Sequence, residues 1–93
     1  MDNEKRERAL DAGRILASPV FCGVFARLDG KFVAQWRAAR TPEERERAWM
    51  MQSALAAVQK ALFGELQNAA LDAGGKDAEL NAAVKAAKEK KRG

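Results

Sequence analysis

A capped, proline-containing corner in the middle of the chain is the feature that most restricts the fold. Thr41 is a residue type that caps helices, Pro42 suits a first helical position, and Glu44 stands where a capping box places a carboxylate. On both sides of this corner, apolar residues recur at steps of three and four, which is typical of amphipathic helices. The sequence therefore predicts two long helices that fold back on each other as an antiparallel hairpin.

Two further breaks limit these helices. Ser18-Pro19 repeats the arrangement of a capping residue followed by proline. Gly74-Gly75 offers the left-handed backbone conformation that closes a helix. We therefore expect the hairpin helices over about 19–40 and 42–73, with an N-terminal helix before them.

The net charge of +4 is concentrated at the C-terminal end. Residues 84–93 contain five Lys and Arg but a single Glu, an excess equal to that of the whole chain. Beyond the glycines, Leu80 and Val84 are the only large apolar residues. We therefore expect a short, loosely docked C-terminal helix. The predicted domain covers residues 1–75, and residues 76–93 are predicted to be a basic tail, partly helical or disordered.

The composition excludes several classes of site. The chain has no histidine and one cysteine, Cys22. These counts exclude His-based catalysis, an intrachain disulfide, and metal sites built from His or from several Cys. The sequence also lacks a Gly-rich phosphate loop and a Ser nucleophile motif. We therefore expect a non-enzymatic protein without catalytic, cofactor or metal sites and without a small-molecule substrate.

The apolar content of the chain favours assembly. Apolar residues make up 47% of the 93 residues, but alanine is the commonest of them and adds little core volume. A small domain with a thin core needs a staple, a metal or oligomerisation. We therefore expect an oligomeric helical bundle, formed as a homo-oligomer or with a protein partner. No apolar run approaches the roughly 20 residues that span a bilayer, and one free thiol without a secretory signal indicates a cytoplasmic protein with no membrane contact.

The large side chains near the corner and along the third helix are candidates for contacts. Paired tryptophans such as Trp36 and Trp49 serve more often in a core than as a binding platform, so we expect them to pack inward. Trp49, Met50 and Met51 are consecutive, and a helix cannot turn all three inward. The large side chains that the hairpin is not expected to cover are the predicted protein interface: Met50, Phe63, Leu66 and Leu71.

The basic tail supports an alternative function. Clustered Lys and Arg residues release counterions from nucleic acid, but the tail has no aromatic residue on which bases stack. A solubilising role for the tail is therefore favoured over DNA binding. The alternative is a small basic DNA-binding protein of the packaging or chromatin-associated type. Its candidate contacts are Lys85, Lys88, Lys90, Lys91 and Arg92.

The residues around the corner also resemble a known group of proteins. The first helix of the hairpin ends in Ala34-Gln35-Trp36, and the corner leads into Arg45-Glu46-Arg47-Ala48-Trp49. Over about residues 15–66, this pattern resembles short all-helical proteins encoded among tailed-bacteriophage and prophage genes. In this chain the spacing around the first motif is one residue longer than in that group. The resemblance implies a phage-associated, non-enzymatic role through protein contacts, in the host cell or on the virion. It carries over no catalytic residues.

Overall fold

The computed structural model describes residues 3–92 of the chain, with side chains through residue 89. The described residues form four helices joined by short connections, and none of them is in a strand. The all-helical class predicted from the sequence is therefore confirmed. The second helix ends two residues earlier than predicted, and the third ends one residue earlier. The helices are α1 (Asn3–Ala17), α2 (Pro19–Ala38), α3 (Pro42–Asp72) and α4 (Ala78–Arg92).

Side-chain caps begin α2 and α3, as the sequence predicts. The Oγ of Ser18 accepts a hydrogen bond from the N–H of Phe21 at 3.2 Å. The Oγ1 of Thr41 accepts one from the N–H of Glu44 at 3.1 Å. The carboxylate of Glu44 in turn accepts the N–H of Arg40 at 2.9 Å. It reaches one residue further back than in the usual capping box, so the corner is fixed from both sides.

Two glycines end α3. Gly74 and Gly75 have φ angles of 67° and 75°, in the left-handed region that favours glycine. The N–H of Gly74 donates to the carbonyl of Leu71 at 2.9 Å, and the N–H of Gly75 donates to the carbonyl of Ala70 at 3.2 Å. These two bonds make a Schellman motif, which satisfies the last carbonyls of the helix. The predicted helix-closing role of the glycines is confirmed.

One hydrophobic core lies where α1, the last part of α3 and α4 meet. Leu66 and Leu80 are its largest fully buried side chains. Gly13 of α1 lies at this junction, where an added Cβ would be in ordinary van der Waals contact with the Cβ of Ala83 at 3.4 Å and with a methyl group of Leu66 at 3.5 Å. We call α1, residues 61–72 and α4 the head. Its buried cluster consists of Ala9, Leu10, Leu16, Leu66, Ala69, Ala70, Leu80 and Ala87.

The C-terminal helix is part of this core, so the predicted loose docking is wrong. Leu80 is fully buried, Ala87 is buried, and Val84 packs against the cluster. The reason is that alanine side chains allow α4 to lie close to its neighbours, so few large anchors are needed. The predicted boundary between residues 1–75 and 76–93 stays a prediction.

Charged side chains connect the start of α1 to the start of α4. The Nε of Arg6 donates to Asp77 at 2.8 Å, and its Nη2 donates to Glu79 at 2.5 Å. Asp77 also caps α4 by accepting the N–H of Leu80 at 3.2 Å. The bond from Arg6, followed by the bond from the Leu80 N–H, lowers the pKa of the Asp77 carboxyl below its usual value.

The remaining part of the chain extends beyond the head as a pair of helices. We call α2 together with residues 42–60 of α3 the arm. The two segments pack alongside each other, and the side-chain amide of Gln52 reaches the carbonyl of Phe32 at 3.5 Å. α2 has no fully buried residue, and Ala48 is the only one in residues 42–60. The arm therefore encloses almost no interior.

The molecule is elongated because α3 runs through both parts. Its principal extents are 51 × 21 × 18 Å. The radius of gyration is 16.0 Å, whereas a compact chain of this length has about 12 Å. The 31 residues of α3 span about 46 Å at the usual helical rise.

No single helix of the described residues has both the length and the apolar character needed to cross a membrane. The α1–α2 pair, bent by 62° at its break, passes that test by length and composition alone.

Candidate protein interface

The arm carries most of the exposed large apolar surface. Nine large apolar side chains of the described residues are exposed, and seven of them belong to the arm. Val20 is 76% exposed and Trp49 is 59% exposed. Exposed apolar surface that is concentrated in one region marks an interaction site more often than single scattered residues do. The seven are Val20, Val24, Trp36, Trp49, Met50, Met51 and Val58.

Both tryptophans lie at the surface, so the prediction that they pack into a core is wrong. Trp36 is 42% exposed, and Trp49 is more exposed still. Two helices alone cover only a narrow strip of each other's surface. The indole rings extend past the edge of that strip, and the arm has no third helix to cover them.

The middle of α3, where the exposed methionines and Val58 lie, is also free of charge. Residues 48–59 contain no Asp, Glu, Lys or Arg, although charged residues make up 32% of the chain. A solvent-facing helix surface normally carries charged and polar residues. Two observations therefore make this segment of α3 a candidate interface: its three turns carry no charge, and its methionines and Val58 are exposed.

One side of the arm presents the two tryptophans. They line an open cleft of about 340 Å³ at the corner, together with Pro42, Arg45 and Glu46. Both indole rings border this cleft, with a basic and an acidic side chain beside them. We call this the Trp side.

The opposite side presents aliphatic and thioether side chains. Gln35 and Arg47 line a second cleft at the corner, of about 450 Å³. Val24 lies three helical turns from Gln35 on α2, and Met51 and Val58 lie one and three turns from Arg47 on α3, so all three share the side of that cleft. We call this the Met–Val side.

The four residues predicted as an interface do not form one surface. Met50 is 57% exposed on the arm, and Leu71 is 70% exposed on the head, about 31 Å away along α3. Phe63 is partly buried and packs against the core cluster. Leu66 is fully buried, so its assignment to an interface is corrected: it fills the space between α1 and α4.

The predicted nucleic-acid contacts lie on α4. Lys85 and Lys88 are exposed and one turn apart. The side chains of Lys90, Lys91 and Arg92 lie outside the described side chains. The assignment of these five residues to DNA binding stays a prediction.

Polar chemistry is sparse in the part of the chain that the structure describes. No three His, Cys, Asp or Glu side chains there are grouped so that they hold a metal ion. The thiol of Cys22 is half-buried and donates to the carbonyl of Leu16 at 3.2 Å. The exposed apolar surface of the arm is therefore the feature from which a function can be argued.

The exposed surface of the chain is larger than a compact monomer needs. Its accessible surface is 6690 Å², against roughly 5300 Å² for a compact monomer of this mass. The excess of roughly 1400 Å² exceeds the roughly 800 Å² that each partner contributes to a standard protein interface.

Sequence reasoning missed the Met–Val side. The spacing of Met51 and Val58, seven residues apart among the apolar residues of α3, predicts that both face inward on the hairpin, but both are exposed. The signal in the sequence is the charge-free run over residues 48–59. Three turns without charge leave every face of the helix uncharged, whereas packing against a single neighbouring helix needs only one uncharged face.

Comparison with protein-family models, curated proteins and solved structures found no match to this chain.

Proposed function

We propose that this protein is a non-enzymatic interaction protein that self-associates through its arm. In this proposal, α2 and α3 form an antiparallel hairpin, and hairpins from separate chains pack into an oligomeric bundle. The observation that carries the proposal is the seven exposed apolar side chains on a helix pair that has one fully buried residue.

The amount of exposed apolar surface is sufficient for such an association. The exposed parts of the seven side chains amount to roughly 700 Å² per chain, close to the roughly 800 Å² of a standard interface. Covering one side of the arm in two chains removes a similar total area from water. At about 25 cal/mol per Å² this contributes on the order of 15 kcal/mol, which reaches the upper part of the roughly 4–15 kcal/mol that association costs.

The biological setting is proposed from the sequence resemblance alone. Similarity of the residues around the corner to phage and prophage proteins favours a role in phage assembly or in host takeover. In this setting the protein acts in the host cytoplasm or on the virion.

DNA binding through α4 is the alternative proposal, and its test must leave the hydrophobic core of the head intact. Removing the residues after Gly75 would remove Leu80 and Ala87 from the head. A better variant is Lys85→Gln with Lys88→Gln, since both residues are exposed. Loss of DNA retention at low salt in this variant would support the alternative, and no retention by the natural chain would contradict it.

Light scattering across a micromolar concentration series tests self-association. We expect the mass to rise from 10.2 kDa to at least twice that value. A mass of one chain at every concentration would contradict the proposal. The double variant Trp49→Glu with Val58→Glu charges both sides of the arm and should remain monomeric. Leu71→Glu, an equally drastic change on the head, should associate as the natural chain does.

A further inference from the structure

A straight row of exposed residues runs along α3 on the Met–Val side. Its members follow one another at steps of four, three, four, three and four residues, the spacing of the contact positions in a coiled coil. Every member is exposed, and Arg8 of α1 approaches the row at Glu65. We call it the α3 stripe. It consists of Arg47, Met51, Ala54, Val58, Ala61 and Glu65.

The α3 stripe is complementary to itself when one copy is reversed. Its midpoint falls at position 56, so an antiparallel second copy places Met51 opposite Ala61 and Ala54 opposite Val58. Each large side chain then meets a small one, which lets two helices interdigitate closely. At both ends of the contact, Arg47 of one copy meets Glu65 of the other.

A parallel arrangement lacks this complementarity. In register, it places Arg47 against Arg47 and Glu65 against Glu65, and like charges that face each other repel. The charges at the two ends of the stripe therefore select the antiparallel orientation, whereas the uncharged residues between them provide the contact area.

The end charges are available to a second chain. Arg47 takes part in none of the ion pairs formed by the described side chains. Glu65 lies 3.7 Å from the Nε of Arg8, but its side chain remains 50% exposed. A second cation can therefore approach the Glu65 carboxylate from the open side.

We propose that the α3 stripe binds a second copy of this chain in antiparallel orientation, α3 against α3, so that two arms form a four-helix bundle. The proposal rests on the proposed self-association and adds the face and the direction of the contact. Val24 and Met50 flank the stripe, and the Trp side stays open to solvent in the dimer.

A matched pair of variants tests the face. Ala54→Glu places a charge at the centre of the α3 stripe, and Ala56→Glu places the same charge on the opposite face of the same helix, where the residue is also exposed. In light scattering of the full chain, we expect Ala54→Glu to be monomeric and Ala56→Glu to associate like the natural chain. Circular dichroism checks that both variants are folded. The emission of Trp36 and Trp49 should not change with concentration.

Charge reversal tests the direction. Arg47→Glu alone and Glu65→Arg alone each turn both end contacts repulsive, and each should weaken self-association about tenfold or more. The two single variants, once mixed, should prefer each other, since every end contact then pairs opposite charges. The double variant Arg47→Glu with Glu65→Arg should associate like the natural chain.

The outcomes separate this proposal from the one on which it rests. If the natural chain is monomeric at every concentration, self-association itself fails. If the natural chain associates but Ala54→Glu behaves like Ala56→Glu, or tryptophan emission shifts on association, the face is wrong. If Ala54→Glu is monomeric but Arg47→Glu and Glu65→Arg each associate as tightly as the natural chain, the antiparallel register is wrong.

Discussion

The head and the arm use their apolar residues in opposite ways. α2 holds three of the four phenylalanines and Trp36, yet none of its residues is fully buried. α4 is dominated by alanine and charged residues, yet it buries Leu80 and Ala87. The difference lies in the number of neighbouring helices, which is three around the head core and two along the arm. Burial in this chain follows the arrangement of helices more than the apolar content of each helix.

The ion pairs are also distributed unevenly between the head and the arm. The ion pairs between helices of the described side chains all include a cation from α1 and lie in the head. Lys5 pairs with Asp72, Arg6 with Asp77 and Glu79, and Arg8 with Glu65. No side chain of the arm takes part in an ion pair of the described residues. The head is thus held together by its own ion pairs, whereas in our proposal a second chain completes the arm.

The largest expected effect compares a core leucine with an exposed one. Leu66→Ala removes a fully buried side chain from the head and should lower the free energy of unfolding by about 3–5 kcal/mol. Leu71→Ala, five residues further along the same helix and 70% exposed, should change it by less than about 0.5 kcal/mol. Urea unfolding at one protein concentration measures both, and equal losses would contradict the assignment of the core to the head.

A pair of glycine substitutions should act in opposite directions. Gly13→Val forces a branched side chain between Ala83 and Leu66 and should destabilise the protein by about 1–3 kcal/mol. Gly30, in the arm, has no neighbouring atom within 4 Å of an added Cβ. Gly30→Ala should therefore stabilise the protein by about 0.5–1 kcal/mol through helix propensity. Thermal unfolding of both variants checks this, and destabilisation by Gly30→Ala would show that the arm is packed more closely there.

The corner of the arm depends on one hydroxyl group. Thr41→Ala removes the acceptor of the Glu44 N–H and should lower the free energy of unfolding by about 1 kcal/mol. Thr41→Ser keeps the hydroxyl and serves as the control. Urea unfolding of the two variants should separate them, and identical stabilities would mean that the proline alone fixes the corner.

The smallest expected effect is the acid sensitivity of the head. Because Arg6 lowers the pKa of Asp77 below its usual 3.8, this carboxylate stabilises the fold above about pH 4, and the contribution is lost as the pH falls through the lowered pKa. Asp77→Asn keeps an oxygen for the Leu80 N–H but loses the charge. The melting temperature of the natural chain should exceed that of Asp77→Asn at neutral pH and approach it in acid. A difference that stays constant with pH would contradict this.

The sequence predicts the local features of this fold well. Caps at Ser18 and Thr41 and the closing glycines depend on neighbouring residues alone, so their positions can be read from the chain. The partners of each helix depend on distant segments and were harder to predict. Alanine was interpreted as a sign of a thin core, but in the head it permits close packing of three helices. The periodicity predicts that Met51 and Val58 face inward, because it shows that a helix face is apolar without showing what covers that face.

Hydrogen exchange of the amide groups, measured at low and high protein concentration, tests most directly whether the arm is completed by a second chain. We expect amides of α2 and of residues 48–60 to exchange faster than those of the head at low concentration. At high concentration the arm and residues 61–65 of α3 should become protected, and the rest of the head should not change. Exchange in the arm that is independent of concentration, or protection that rises equally in head and arm, would contradict the account.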